Sequence, residues 1–172
     1  VGLEIRGVSG VTTSDNTFYA PASDNIRIEN GSSGVEITNS ILWASAGYDI
    51  YVANDSQAGF FSDYNTLYSD GTGRLVYWTK DFTDILDWQA DVARYDLHSI
   101  GTTVVNPEGA RPRFYDAAQN DFRLLQVVGD QSNSSPTLAA GSPLVEQDVP
   151  APVNNLLTNP GFEQGLNGWT TN

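Results

Sequence analysis

Apolar and polar residues alternate in short runs along the first half of the chain, and these runs recur at a steady interval. Three series of apolar residues share the interval: Leu3, Ile26, Ile50 and Leu75; Val11, Val35 and Phe60; Phe18, Leu42 and Leu67. Successive members of each series lie 23 to 25 residues apart. Runs with a period of two residues predict β-strands, and the Gly, Asn, Asp and Ser clusters between them predict turns.

Each repeat therefore holds three short strands, which are too few to bury a hydrophobic face within one repeat. Successive repeats bury those faces if each forms one coil and the coils stack, about 4.8 Å apart, into three parallel sheets. An antiparallel sandwich has a similar local signature. The shared register of about 24 residues favours an all-β parallel solenoid with the apolar series inside.

The second half departs from the repeat. Ile85, Trp88, Val92 and Tyr95 form one apolar stripe and predict a short helix near 84–95. Thr83 or Asp84 is the candidate N-terminal cap. We expect the helix to pack on the flank or the end of the solenoid, and a solenoid end needs a cover because open strand edges invite aggregation.

The domain organisation follows from these patterns. We predict regular coils over 1–79, the helix with closing coils and an irregular C-terminal cap over 80–149, and a stiff Pro-rich linker over 150–154. Residues 155–172 form a separate segment after the linker.

Several segments resemble known proteins. "NIRIENGSSGVEITNSILWAS" (25–45), "SDYNTLYSDG" (62–71), "DILDWQAD" (84–91) and "PRFYDAAQNDFRLL" (112–125) resemble right-handed parallel β-helix proteins of the pectate-lyase-like superfamily. The resemblance covers about residues 1–149 and implies a right-handed coil. It does not select a function, because this fold serves lyases, hydrolases, adhesins and scaffolds.

The final segment resembles a different family. "NLLTNPGFEQGLNGWTTN" (155–172) is similar to the opening strands of a carbohydrate-binding jelly-roll module. A whole module needs more than a hundred residues, so this segment is the first part of a truncated module or a docking tail.

Charge and composition narrow the possible partners. The chain has 8 Lys and Arg against 21 Asp and Glu, a net charge of −13. Such acidity argues against nucleic acid and polyanionic partners. The chain has no apolar run long enough to insert into a membrane and no cysteine for a disulfide or thiolate metal site. The expected partners are a polysaccharide or glycan, or copies of the chain itself.

No residue set indicates catalysis. Lys80 is the only lysine, His98 is the only histidine, and the seven arginines are scattered. A lyase needs a base beside a group that neutralises a uronate, and a glycosidase needs two placed carboxylates. We therefore predict no catalytic residues in this chain.

Aromatic residues form the most distinctive surface feature. Tyr19, Trp43 and Tyr68 occupy equivalent repeat positions, and alternation turns them outward if the preceding apolar residues face inward. A row of exposed rings predicts a carbohydrate-binding platform. The alternative is a second core, in which a later segment of the chain covers the rings.

Calcium is the candidate cofactor. Asp55, Asp63 and Asp70 lie in turn sequences of the kind that supplies oxygen ligands. Asx turns explain the same residues without a metal.

Three functional hypotheses remain open. The first is a non-catalytic β-helix segment of a large secreted or cell-surface protein, with a polysaccharide-associated binding or scaffold role. The second is the C-terminal part of a polysaccharide lyase or glycoside hydrolase whose catalytic coils lie upstream. The third is a subunit of an extracellular filament assembled through its terminal segments. All three imply an extracellular or cell-surface location.

Overall fold

A computed structural model describes residues 1–124, in which short strands wind into a parallel β-solenoid. The strands of its three full coils are β1 (Leu3–Arg6), β2 (Thr12–Ser14), β3 (Thr17–Ala20), β4 (Ile26–Glu29), β5 (Glu36–Thr38), β6 (Ile41–Ala44), β7 (Tyr48–Val52), β8 (Phe61–Asp63) and β9 (Thr66–Ser69). A partial fourth coil contributes β10 (Arg74–Tyr77), β11 (Asp81–Phe82) and β12 (Ile100–Gly101).

Stacking of the coils builds three sheets. The first has the order β1-β4-β7-β10-β11, the second β2-β5-β8 and the third β3-β6-β9-β12. All neighbours are parallel except β10 and β11. The predicted solenoid is thus confirmed and the antiparallel sandwich is wrong.

The strand register matches the predicted repeat with one difference. Phe18 pairs with Leu42 and Leu42 with Leu67, as the third apolar series predicts. In the first series Ile50 pairs with Val76, so the prediction of Leu75 at this place was wrong by one residue. The chain has one more residue from Ser69 to Val76 than from Ala44 to Ile50, the paired positions one coil earlier, and this moves β10 by one residue along its neighbour.

The bore of the solenoid is the main core. Ile26, Ile28, Ile50, Leu42 and Leu67 are all fully buried there. Burying one such side chain contributes about 1.5–3 kcal/mol. Stacking therefore supplies the stability that no single coil of three short strands provides.

Polar side chains join the coils at two corners. Between the second and third sheets, the backbone N–H of Asn16 donates to Ser40 Oγ at 3.2 Å, and that of Ser40 donates to Asn65 Oδ1 at 3.0 Å. At the corner between the first and second sheets, the hydroxyl groups of Ser32 and Ser56 accept from backbone N–H groups in the same way. These bonds satisfy buried amides where the chain turns and no strand is available.

The helix α1 (Ile85–Val92) closes one end of the solenoid, which confirms the short helix predicted near 84–95. Asp84 is its N-terminal cap, and its carboxylate accepts from the N–H of Leu86 at 2.8 Å. Ala93, at φ 52°, ends the helix before Tyr95. Trp88 is fully buried against the last coil.

A buried carboxylate fixes this closing segment. Asp96 accepts hydrogen bonds from Ser62, Asn65, Trp88 and Ser99, at 2.7 to 3.2 Å. Burial raises the pKa of Asp96 and the four donors oppose that rise. The donors come from the third coil, the helix and the turn that follows it, so one side chain joins three parts of the end of the solenoid.

The last described element is an antiparallel hairpin, β13 (Phe114–Asp116) and β14 (Asp121–Leu124). Residues 125–149 of the predicted closing region, the linker 150–154 and the segment 155–172 lie outside the described residues. Within residues 1–124, no helix combines the length and apolarity needed to cross a membrane.

Candidate functional site

The predicted aromatic platform lies on the outer face of the third sheet. Tyr19 pairs with Trp43 and Trp43 with Tyr68, so the three residues form one ladder across the coils. Their ring centroids lie 5.0 and 5.2 Å apart, in edge-to-face contacts. We call these three residues the covered ladder, because the hairpin packs over them.

The hairpin forms a second core with the covered ladder. Phe114 stacks on Trp43 at 6.1 Å, and Phe122 lies 5.8 Å from Tyr19. Only 8% of Trp43 and 1% of Tyr68 remain exposed. The structure thus shows the arrangement that the sequence left as the alternative. Carbohydrate binding by these three residues stays a prediction that requires the hairpin to move away.

The three predicted calcium ligands lie apart. Asp55 is an exposed residue that accepts from its neighbour Ser56 Oγ at 2.8 Å. Asp63 is buried beside the closing segment, and Asp70 lies in the turn before β10. Residues 1–124 hold no group of three or more His, Cys, Asp or Glu side chains placed to bind one metal ion.

Asp63 holds the only histidine in place. One carboxylate oxygen accepts from the backbone N–H groups of Tyr64 and His98, and the other lies 2.8 Å from His98 Nδ1. The His98 ring stacks on Tyr64 at 4.8 Å and with an angle of 5°. This arrangement fastens the turn that carries His98 to the third coil.

Asp70 belongs to a different polar group. Asn25 Nδ2 donates to Asp49 Oδ1 at 2.7 Å, and both side chains are fully buried. Asn25 Oδ1, Asp49 Oδ2 and Asp70 Oδ1 are buried oxygens without a hydrogen-bond partner among the described residues. We call Asn25, Asp49 and Asp70 the oxygen corner. Burial first of all, and also the charge of Asp70, raises the pKa of Asp49 well above its usual range.

A second aromatic group, which sequence analysis did not single out, lies on the outer face of the first sheet. Tyr48, Tyr51 and Tyr77 are half-buried, and their centroids lie 4.7 to 5.9 Å apart. Arg27 lies over Tyr51 at 4.0 Å and Arg74 over Tyr48 at 5.6 Å. We call these five residues the tyrosine face.

In the tyrosine face, the flat sides of the rings pack against neighbouring side chains. Tyr51 and Tyr77 stack with an angle of 12° between planes, and Arg27 lies over the Tyr51 ring. The Tyr51 ring therefore has neighbours packed on its flat sides, and the surface offers solvent mostly ring edges and polar groups. The chemistry of this face is hydrogen bonding rather than ring stacking.

Carboxylates neutralise both arginines of the tyrosine face. Arg27 pairs with Asp24 at 2.6 Å, and Arg74 pairs with Asp81 at 3.0 Å. Asp81 also accepts from the Tyr48 hydroxyl at 2.7 Å, and burial together with this bond raises the pKa of Tyr48 to about 12. Each arginine of the tyrosine face is thus paired with a carboxylate, and the face carries both hydrogen-bond donors and acceptors.

The sequence contained a signal for this face. In the run Ile50 to Val52 the half-buried Tyr51 lies between two buried apolar residues, which places Tyr51 on the outer face. Tyr77 follows Val76, the register partner of Ile50, and so stacks on Tyr51. The one-residue error in placing β10 concealed this pairing.

Comparison with known proteins identifies no relative. No protein-family model matches the chain, and neither the curated proteins nor the solved structures provide a match.

Proposed function

We propose that this chain is a non-catalytic solenoid segment of an extracellular or cell-surface protein, related to the pectate-lyase-like β-helix superfamily, that binds neutral polysaccharide through the tyrosine face. The observation that carries the proposal is the clustering of three half-buried tyrosines and two arginines on one flat sheet face. Tyr and Arg are the residue types enriched at recognition surfaces.

The tyrosine face carries the kinds of hydrogen-bonding groups that sugars need. Guanidinium groups donate, carboxylates accept and tyrosine hydroxyls do both, and sugar hydroxyl groups need such mixed partners. Residues at equivalent places in successive coils repeat at about 4.8 Å. Such a repeating row gives an extended chain of sugars similar contacts along its length.

The charge balance favours a neutral polymer over a uronate polymer. The two arginines are already paired with Asp24 and Asp81, and the chain has a net charge of −13. A polyanion meets repulsion and finds no unpaired cation on this face.

Affinity electrophoresis in gels that contain neutral or uronate polysaccharides tests the proposal. We expect a neutral polymer to retard the full chain. Tyr51→Phe removes one hydroxyl and leaves the ring, so we expect an affinity about 2- to 10-fold lower, the value of one or two hydrogen bonds. Tyr51→Ala should weaken binding further.

Tyr64→Ala is the matched control, because Tyr64 is 44% exposed and lies on His98, away from the tyrosine face. Equal loss in the Tyr51 and Tyr64 variants contradicts the proposed face. Loss in Trp43→Ala alone would assign binding to the covered ladder instead. Release of unsaturated or reducing ends in the same samples would overturn the non-catalytic role.

A second candidate function is self-assembly into a filament. The specific observation is that β1, β2 and β3 are edge strands: among the described residues, each has a hydrogen-bonded neighbour on one side only. Exposed edges of this kind pair readily with further strands.

A further inference from the structure

The oxygen corner contains three polar atoms that the described protein leaves unsatisfied. Asn25 and Asp49 have no exposed surface, and their heads are joined by one hydrogen bond of 2.7 Å. One oxygen of each, Asn25 Oδ1 and Asp49 Oδ2, has no partner, and neither does Asp70 Oδ1. Buried polar atoms are nearly always paired in folded proteins, so three in one corner require an explanation.

The backbone of Ala44 brings the two carboxylates of the corner into one neighbourhood. Its carbonyl accepts from the N–H of Asp70 at 3.1 Å, and its backbone lies close enough to Asp49 to lower the pKa of that carboxyl against the rise caused by burial. Gly73 lies so close that a Cβ there would be 2.1 Å from the Ala44 carbonyl oxygen. The turn from Asp70 to Gly73 is thus held tightly against the coil that carries Asp49.

We propose that a divalent cation, with calcium as the preferred ion, binds in the oxygen corner through Asn25 Oδ1, Asp49 Oδ2 and Asp70 Oδ1. Two carboxylates balance a charge of +2, and carboxylate and amide oxygens are the ligands that calcium prefers. Calcium takes six to eight oxygens, so backbone carbonyls and water complete the set. This site is independent of polysaccharide binding.

The environment of Asp49 makes an unoccupied corner costly. A buried carboxylate without a counter-charge costs several kcal/mol. Among the described residues, Asp49 is hydrogen-bonded to Asn25 and its pKa is affected by Ala44 and Asp70, not by a Lys or Arg. Asp70 is only partly buried and the next residue, Gly71, is exposed. An ion therefore has a short route into the corner from solvent.

Terbium luminescence provides a direct test on the full chain after treatment with a chelator. Tyr48 precedes Asp49 and Tyr68 lies two residues before Asp70 in the chain, so we expect their rings to sensitise a terbium ion in the corner. We expect luminescence that calcium displaces, and a midpoint of thermal unfolding that rises with calcium but not with sodium chloride of equal ionic strength.

Asp70→Asn should lower calcium affinity at least tenfold, because it removes one of two ligand charges from a half-buried position. Asp49→Asn, which is isosteric, is the second variant. Asp55→Asn is the control, because Asp55 is exposed and accepts a hydrogen bond from its neighbour Ser56. Circular dichroism identifies the variants that retain the wild-type fold.

Two results overturn the proposal. One is the absence of any effect of calcium up to about 10 mM, ten times the dissociation constant of the weakest class of calcium sites. The other is an equal calcium response in the wild type, Asp70→Asn and Asp49→Asn, which would assign the effect to general screening of an acidic protein. Neither result bears on polysaccharide binding by Tyr51.

Discussion

Two tyrosine hydroxyls show how individual side chains fasten loops to the solenoid. Tyr68, 1% exposed, donates to Glu108 at 3.1 Å, and Tyr48 donates to Asp81 at 2.7 Å. In each case burial and the bond to a carboxylate raise the pKa of the tyrosine to about 12. Both hydroxyls can donate only while protonated, so these bonds depend on pH.

This dependence gives a prediction for alkaline solution. The folded protein holds both phenolic protons more tightly than the unfolded chain, whose tyrosines ionise near pH 10. The resulting contribution to stability is complete below about pH 10 and is lost as the pH rises towards 12. We expect the free energy of unfolding of the wild type to fall over that window.

Tyr68→Phe should make this fall shallower, because the variant lacks one of the two shifted groups. Urea unfolding at a series of pH values, with tyrosinate absorbance followed in parallel, measures both effects. If Tyr68→Phe removes a tyrosine that ionises near pH 10 instead of one that ionises near pH 12, the raised pKa does not belong to Tyr68.

At the scale of elements, the hairpin β13–β14 depends on the covered ladder. Phe114 stacks on Trp43, and Arg111 lies over the same ring at 5.3 Å. Trp43 in turn packs edge-on against Tyr19 and Tyr68. The indole is the central contact between the hairpin and the third sheet.

Trp43→Ala should therefore destabilise the protein by about 3–5 kcal/mol, the usual cost of removing a large buried aromatic side chain. We also expect faster cleavage by trypsin at Arg113 and Arg123 as the hairpin detaches. Urea unfolding and timed proteolysis measure the two effects.

Tyr115→Ala serves as the control for Trp43→Ala. Tyr115 lies in the same hairpin but is 63% exposed, so its loss should change stability by no more than about 0.5 kcal/mol. Equal sensitivity of the two variants to trypsin would show that Trp43 does not anchor the hairpin.

The sequence predicted the elements better than the contacts between distant elements. The repeat placed Phe18, Leu42 and Leu67 in register because parallel stacking preserves a fixed interval. The coverage of Trp43 depends on Phe114, which lies 71 residues later outside the repeat. Periodicity carries no information about such a contact.

The oxygen corner was missed for a related reason. Asp49 follows Asn25 by one repeat, so their contact was accessible from the register. Asp70 reaches the same corner only because its turn folds back on Ala44. Loop conformation of this kind depends on tertiary packing rather than on the interval between repeats.

At the scale of the whole molecule, the two ends of the described solenoid differ. Helix α1, β11 and the segment around Asp96 cover one end. At the other end β1, β2 and β3 are edges, and Leu3, Val11 and Phe18 are only partly buried. Attachment of another strand layer is therefore favoured at one end alone.

We expect the full chain to associate as its concentration rises, through this uncovered end. Val11→Lys places a charge at the rim of the bore and should reduce association strongly. Val104→Lys is the control, because Val104 is 75% exposed near the covered end. Sedimentation velocity measures the association of both variants.

Deletion of residues 150–172 separates two routes of assembly. If the shortened chain no longer associates while Val11→Lys still does, the C-terminal segment rather than the uncovered end mediates assembly. A monomeric wild-type chain at all concentrations would exclude both routes.

The corner bonds restrict how proteins of this design change length. The N–H of Asn16 donates to Ser40, that of Ser40 to Asn65, and that of Asn65 to Ser99, one coil after another. An insertion within these corner turns or the strands beside them would break this succession. The connections elsewhere in a coil can lengthen, because the 34 residues from Asn65 to Ser99 include helix α1 and the corner bond is kept. Insertion or loss of a whole coil would leave every remaining donor opposite an equivalent acceptor. The stack can therefore lengthen or shorten in evolution by whole coils without loss of the corner bonds that remain.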